Sequence, residues 1–273
     1  MNIALLNAPG VAPVRDTATL ASRGAAETAP RLDAVWARHG DEVQAAQRLR
    51  WRVFAEEMGA RLRPPAGTPA GLDVDLFDAY CEHLLVRALP ADGSAPLVVG
   101  TYRVLTPAAA RQVGGLYSDR EFDLVRLRHL RPRMAELGRS CIDPHWRTGG
   151  VILTLWSSLG QFLHRNGLDR VLGCASVSMH DGGHLAANLW RQLQQTCPAP
   201  VDEQVRARHP LPVDKLCTGA AAQAPALIKG YLKCGARLLG QPAWDPEFGT
   251  ADLPLMLKLE DLPEAYRRRF IGN

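Results

Sequence analysis

ELGRSCIDPHWRTGGVILTLW, residues 136–156, is the stretch on which the fold turns. It reads as a strand ending at Asp143-Pro144, a short turn, and an apolar helix whose front carries Arg147, Gly149 and Gly150. Glycine at the start of a helix is costly unless something needs bare backbone there. A helix N-terminus exposes unpaired N–H groups and a partial positive charge. Glycines that admit a ligand to that backbone, with the full charge of Arg147 beside them, describe an anion site, most naturally for phosphate. Taken alone, the loop 144-PHWRTGG-150 is read equally well as a tight strand-to-helix turn that needs small residues.

Period and punctuation divide the rest of the chain. Downstream, Ile152, Leu155, Leu159, Phe162 and Leu163 form one face of a helix that stops at Asn166-Gly167. DRVLGCASV (169–177) is a buried strand, HLAANLWRQL a second helix, and 196–223 a proline-containing irregular stretch. PALIKGYLKCGA is a further helix, with Pro225 in its first turn and Gly235 at its end. LPLMLKL (253–259) is a last strand.

Upstream, the strand MAELGRSCI follows a basic loop, RLRHLRPR at 126–133. HLLVRAL (83–89) and LVVGTYRVL (97–105) are strands joined by PADGSAP, whose Asp-Gly signals a hairpin. DEVQAAQRLRWRVFAEEMG carries a helical stripe at Val43, Ala46, Leu49, Val53, Phe54 and Met58, with Asp41 as N-cap and Gly59 as stop. Residues 1–35, rich in Ala, Pro, Thr and Gly, are expected to form a flexible tail before one domain, 36–273. Strands and helices alternate in the second half, so the fold is mixed α/β.

A chain of 273 residues with 47% hydrophobic content suits one large domain. Its net charge of +4 fits an acidic partner or an anionic membrane surface, and equally an ordinary soluble protein. Nothing points to nucleic acid. Six cysteines form no CxxC pair and several lie in apolar runs, which predicts free thiols in a reduced, cytoplasmic protein. The apolar N-terminal stretch is broken by Pro9 and Gly10 and lacks a basic flank, unlike a signal peptide. Cys81-x-His83 and His180-x-x-x-His184 have ligand-like spacing, but Gly182 and Gly183 interrupt the second and no Glu accompanies it; no metal is expected.

One geometric point concerns the opening stretch. Strand side chains alternate, so Glu136 and Arg139 share a face only if an extra residue intervenes, and Gly138 suits such a bulge.

The order strand, Arg-x-x-Gly, apolar helix, strand, then a helix with Tyr231 four residues before Gly235 resembles the GNAT acyltransferases. Their loop motif is Arg/Gln-x-x-Gly-x-Gly/Ala. Here it reads Arg147-Thr-Gly-Gly150-Val-Ile152, without the last small residue. That departure fits the single phosphodiester of a carrier protein's phosphopantetheine better than the pyrophosphate of coenzyme A. LRWRVFAEEMGA (49–60), VDLFDAYCEHLLV (74–86), VVGTYRVL (98–105), ELGRSCIDPHWR (136–147), GCAS (173–176), LIKGYLKCGA (227–236) and DPEFGTADLPLMLKL (245–259) resemble the L-ornithine Nα-acyltransferases. The homoserine-lactone synthases are similar relatives. They share the pattern of Arg50 with Phe54, Asp75 with Asp78, Arg103, and Glu136 with Arg139, but their usual Trp after the first helix is Ala60 here.

The resemblance implies a GNAT-like acyl-CoA N-acyltransferase fold: a mixed twisted sheet with splayed central strands flanked by helices. It implies transfer of a 3-hydroxyacyl group from acyl carrier protein to the α-amine of L-ornithine, giving lyso-ornithine lipid. No cofactor is bound on this reading; the donor rides on phosphopantetheine, which lies in the splay like an added strand. Backbone near Cys141, with Arg147, Gly149 and Gly150, then receives the arm and polarises the thioester carbonyl. Glu136 serves as base, directly or through a water, or only pairs with Arg139, which joins it in the catalytic set. Tyr231 protonates the departing thiolate, or is a core tyrosine. Arg50 or Arg103 clamps the ornithine carboxylate, Asp75 and Asp78 meet its ammonium groups, and Phe54 completes that set; an ion-pair network anchoring the first helix is the competing reading. Arg126, Arg128, Arg131 and Arg133 offer a docking face to an acidic carrier. Anionic inner-membrane lipid is a second partner, through peripheral contact at the membrane's inner face. Other amines, in glycine-type lipid or homoserine-lactone synthesis, and a non-catalytic binding module remain the alternatives.

Overall fold

In the computed structural model, which describes residues 31–147 and 149–271, the chain begins with β1 (Arg31–Trp36) and α1 (Gly40–Trp51). Residues 31–35, expected to be tail, thus belong to an edge strand; six residues carry too few turns of alternation to be read. The rest of the expected tail lies outside the described residues. The Glu42 carboxylate accepts from the backbone N–H groups of Arg38 and His39, so the N-cap is His39 rather than Asp41. α1 runs on into a wider π turn, Arg52–Glu57, and Gly59 ends it with φ of 72°.

Next come β2 (Glu82–Leu89) and β3 (Leu97–Leu105), an antiparallel hairpin. α2 (Pro107–Val113) is capped by the Thr106 hydroxyl, which accepts from Ala109 N. β4 (Phe122–Asp123) and 3-10 turns over Val125–Arg133 lead into β5 (Met134–Ile142). α3 (Gly150–Arg165), β6 (Arg170–Ser178) and α4 (His184–Thr196) follow. The irregular stretch holds β7 (Arg206–Ala207), paired with β4, and a single turn, α5 (Val213–Leu216). Then come α6 (Ala226–Lys233), β8 (Arg237–Leu238), β9 (Ala243–Asp245), β10 (Thr250–Lys258) and α7 (Glu264–Phe270).

The main sheet has the order β1-β2-β3-β5-β6-β10-β8, with β9 also on β10. Every pairing within it is antiparallel except β5 with β6. That parallel pairing is short: Met134–Glu136 meet Arg170–Leu172, and there it stops. β5 runs on against β3 and β6 runs on against β10, so the two central strands part. The expected splay is present.

So is the bulge, one residue further on. Thr101 faces Cys141 and Arg103 faces Gly138, so Arg139 and Ser140 stand together opposite Tyr102. Arg139 takes φ of 49°, the only non-glycine positive φ among the described residues. The extra residue resets the alternation. Ala135, Leu137 and Ile142 pack toward α3, while Cys141 joins the α1 residues Leu49, Val53 and Phe54 on the other face.

α3 and α4 cover one face of the sheet; α1, α2 and the turns at 117–133 cover the other. Among the described residues no helix is long and apolar enough to cross a membrane.

Candidate active site

Against the bulge lies a buried ionic network. Arg50 of α1 pairs with Asp73 and Asp78, each at 2.8 Å. Arg103 of β3 pairs with Asp75 at 2.6 Å and Asp78 at 3.3 Å. Arg139 pairs with Asp73 at 3.2 Å and Asp75 at 3.1 Å. Three guanidiniums thus meet three carboxylates, which is how a folded interior tolerates such charges. Burial works to raise the Asp75 carboxyl, but Arg103 and Arg139 hold it well below the usual carboxylate range. Asp78 is likewise held down, burial being opposed by Arg50 and Arg103.

The structure therefore brings Arg50, Asp75, Asp78, Arg103 and Arg139 together. It adds Asp73, the first acid of 73-DVDLFD-78, which sequence reading passed over although its alternation with Asp75 was visible. Arg50 is 0% exposed, and Phe54, also 0%, packs edge-on against Phe248 at 5.8 Å. Arg139 lies between two rings, 5.4 Å from that of Tyr117 and 4.8 Å from that of Phe248. Its Nη1 is buried without a hydrogen-bond partner among the described residues.

Glu136 is not paired with Arg139. Its Oε2 accepts from Tyr117 N at 2.7 Å, and its Oε1 from Ser118 N at 2.8 Å and Ser118 Oγ at 2.5 Å. Burial pushes its carboxyl up despite these donors. Ser118 Oγ also lies 3.4 Å from Cys174 Sγ on β6, so the turn at 117–120 reaches both strands of the splay. From Cys174 the polar lining continues: carboxylate oxygens of Glu121 and Asp252 lie with its sulfur inside a 4.8 Å cluster. Burial pushes Asp252 up to about 7, and Glu121 adds to the push. Asp245, raised by burial and by Asp252, turns the chain by accepting from Glu247 N and Phe248 N. Ser118, Glu121, Asp245 and Asp252 carry no periodic signal, and sequence reading did not single them out. Burial also pushes the Cys141 and Cys174 thiols up, so neither is a ready nucleophile.

At the open end of the splay, Gly149 takes φ of 91° and precedes the first turn of α3. Leu32 of β1 lies against Gly150. Arg147 makes a bidentate pair with Glu57 at 2.6 and 2.7 Å, and its Nε donates to Ile142 O. The basic turn at 126–133 lies elsewhere. Arg133 O accepts from Asp169 N beside the first residues of β6, at the closed end of the splay.

Behind the splay, on the α3 face, is an apolar cavity of about 80 Å³. Trp156, Leu159 and Leu163 of α3, Leu255 of β10 and Phe270 of α7 help to wall it. So do Tyr102 and Tyr231, whose hydroxyls hydrogen-bond across the gap between β3 and α6. Burial pushes Tyr102 up to about 12 and Tyr231 well above the usual phenol range, so both stay protonated at neutral pH.

Residues 49–157 match the family described as acetyltransferase (GNAT) domain. The chain is 37% identical over 237 residues to the L-ornithine N(alpha)-acyltransferase of Brucella abortus, covering 82% of this chain and 83% of that protein. It is 36% identical over 254 residues to the protein of the same name from Agrobacterium fabrum, covering 89% and 86%. Among solved structures, FeeM, an N-acyl amino acid synthase from uncultured soil microbes, superposes with a TM-score of 0.50 at 14% identity, over 84% of this chain and 91% of that one. That likeness is one of fold.

Proposed function

Because this chain belongs to the L-ornithine N(alpha)-acyltransferase family and is an N-acyltransferase of GNAT fold, we propose that it acylates the α-amine of L-ornithine. The acyl group is a 3-hydroxyacyl chain delivered by acyl carrier protein, and the product is lyso-ornithine lipid. The observation that carries this reading is the parting of β5 from β6, with an apolar cavity on one face of the gap and buried charge on the other. A long acyl chain and a doubly cationic amino acid need those two environments, and their reacting atoms must meet between them.

On this reading the donor's phosphopantetheine is the only carrier group required. It lies along the unpaired edge of β5 beyond Glu136, with its phosphodiester at the first turn of α3 beside Gly149, Gly150 and Arg147. Arg147 then exchanges Glu57 for phosphate. Backbone N–H groups around Cys141 polarise the thioester carbonyl. Arg139, with its unmatched Nη1, takes the ornithine carboxylate, and Glu121 and Asp252 take the side-chain ammonium. Arg50, Arg103, Asp73, Asp75 and Asp78 hold Arg139 in place, and Phe54 braces Phe248.

The α-ammonium gives up a proton to the Ser118 hydroxyl, which passes its own to Glu136. The freed nitrogen bonds to the carbonyl carbon and the C–S bond breaks; the departing thiolate takes the proton of Tyr231, and the second proton that the nitrogen sheds as the amide forms restores the Tyr231 hydroxyl. The enzyme works in the cytoplasm and meets the inner leaflet only peripherally, where its lipid product leaves.

The test is to mix the enzyme with 3-hydroxyacyl carrier protein and, separately, ornithine, glycine and S-adenosylmethionine, and to identify products by mass spectrometry. N-acylornithine as the dominant product is expected. Preferential acylated glycine or lactone, or no acyl transfer at all, overturns the assignment.

A further inference from the structure

The wall of the apolar cavity is not uniformly apolar. Trp156, halfway along the cavity side of α3, has its indole Nε1 buried with no hydrogen-bond partner among the described residues. A buried indole N–H normally finds an acceptor, because leaving it unmet costs about 1–3 kcal/mol. Trp156 stacks on Tyr231, ring centroids 5.5 Å apart. The Tyr231 hydroxyl is in turn bonded to that of Tyr102, which Ser140 at the bulge also engages. The ring's position is enforced: Gly230 of α6 packs against the six-membered ring of Trp156, where any Cβ would collide. The three residues that carry one unmet donor and two phenol hydroxyls therefore share a wall otherwise made of Leu, Val, Ala, Gly and Phe with one Cys.

We infer that Trp156 Nε1–H and the Tyr102–Tyr231 hydroxyl pair form a subsite that reads an oxygen carried on the acyl chain itself, close to the thioester. This rests on the acyl-transfer reading above and gives it a residue-level basis for donor choice. The ligand atom must accept a hydrogen bond, since an indole N–H only donates. A hydroxyl or a keto oxygen meets that demand; a plain methylene leaves the donor buried and unmatched. A site built to bond a substrate oxygen discriminates against the analogue lacking it far more strongly than an apolar pocket discriminates by size. The hydroxyl pair completes the match for an alcohol, because a phenol oxygen can accept the proton that the alcohol donates.

The experiment compares carrier-bound 3-hydroxytetradecanoyl, 3-oxotetradecanoyl and tetradecanoyl donors, with ornithine saturating, in wild type, Trp156→Phe and Tyr102→Phe. The wild type is expected to favour the hydroxylated donor in kcat/KM. Trp156→Phe is expected to lower that preference by about tenfold, with a larger loss for the oxygenated donors than for tetradecanoyl. Tyr102→Phe is expected to lower it for the hydroxyl donor more than for the keto donor, which can only accept. A preference within twofold of wild type in both variants overturns the subsite. A second arm measures binding of free 3-hydroxytetradecanoate and tetradecanoate to the whole chain by calorimetry, independently of turnover. Equal affinity of the wild type for the two acids overturns the subsite without recourse to any variant. If no ornithine is acylated yet the hydroxy acid binds more tightly in a Trp156-dependent way, the acyl-transfer reading fails and the subsite stands.

Discussion

Asp252 keeps its proton to a higher pH than a carboxyl in water, pushed up to about 7 by burial and then by Glu121. Its folded pKa is raised above the ordinary 3.8, so between 3.8 and about 7 the folded state holds a proton that the unfolded chain releases. Stability contributed by this group therefore falls as pH rises through that window, with a slope of up to ~1.4 kcal/mol per pH unit for one proton. Asp75 has the opposite sign. Its folded pKa is depressed, so its contribution is present above the ordinary value and is lost as pH falls through the folded one. Asp252→Asn should thus gain on the wild type as pH rises from 3.8 to about 7 in urea unfolding. Parallel stability curves across that range would show that Asp252 does not titrate there. These residue-scale facts were half visible in the sequence. The resemblance to the acyltransferases and lactone synthases singled out Arg50, Asp75, Asp78, Arg103, Glu136 and Arg139. Who pairs with whom was not visible, because the partners stand as far as 66 residues apart, Asp73 to Arg139, and Glu136 turned to backbone donors at Tyr117 and Ser118 instead.

Helix α6 reaches the cavity only because it has no side chain at position 230. Gly230→Ala in an exposed helix is expected to gain about 1 kcal/mol from propensity alone. Here the added Cβ would strike the Trp156 ring, itself pinned between Tyr231 and Phe270, so α6 or α3 must give way. A net loss of at least ~1 kcal/mol in chemical denaturation is expected, together with loss of Trp156-dependent donor choice. A stability gain would mean that α3 and α6 slide apart freely and that Gly230 does not fix the Trp156 ring. Elements of this kind explain what could be read beforehand. β2, β3, β5, β6, α3 and α4 are long enough for their period to show. β1, α2 and α7, at six or seven residues, are not, and they take their form from what they pack on. The bulge was readable as a necessity of faces, but its place was not. Gly138 is the residue that costs least there, whereas the chain puts the strain on Arg139, where Asp73 and Asp75 hold the guanidinium.

Across the whole molecule, β5 is the axis that separates two basic regions. Its nine residues span roughly 30 Å. The turn with Arg126 and Arg128 sits at the closed end, tied to Asp169 through Arg133. The bare first turn of α3 lies at the open end, ringed by Arg147, by Arg52 beside Asp143, and by β1, which begins at Arg31 and lays Leu32 against Gly150. An arm whose phosphodiester rests at Gly149 must be delivered by a carrier seated on the second region. Charge on the first then touches the reaction only through the long-range field, which ~0.15 M salt screens within about 8 Å. Replacing Arg31 and Arg52 by Glu should therefore raise KM for a carrier-bound donor about tenfold at low ionic strength, and added salt should weaken the wild type in the same direction. Replacing Arg126 and Arg128 by Glu should leave that KM within twofold. A donor stripped to its pantetheine thioester, with no protein attached, should be indifferent to both pairs, which separates carrier docking from arm binding. If the second pair instead raises the carrier KM and the first does not, the carrier sits at the closed end of the sheet, and Gly149 does not hold its phosphate.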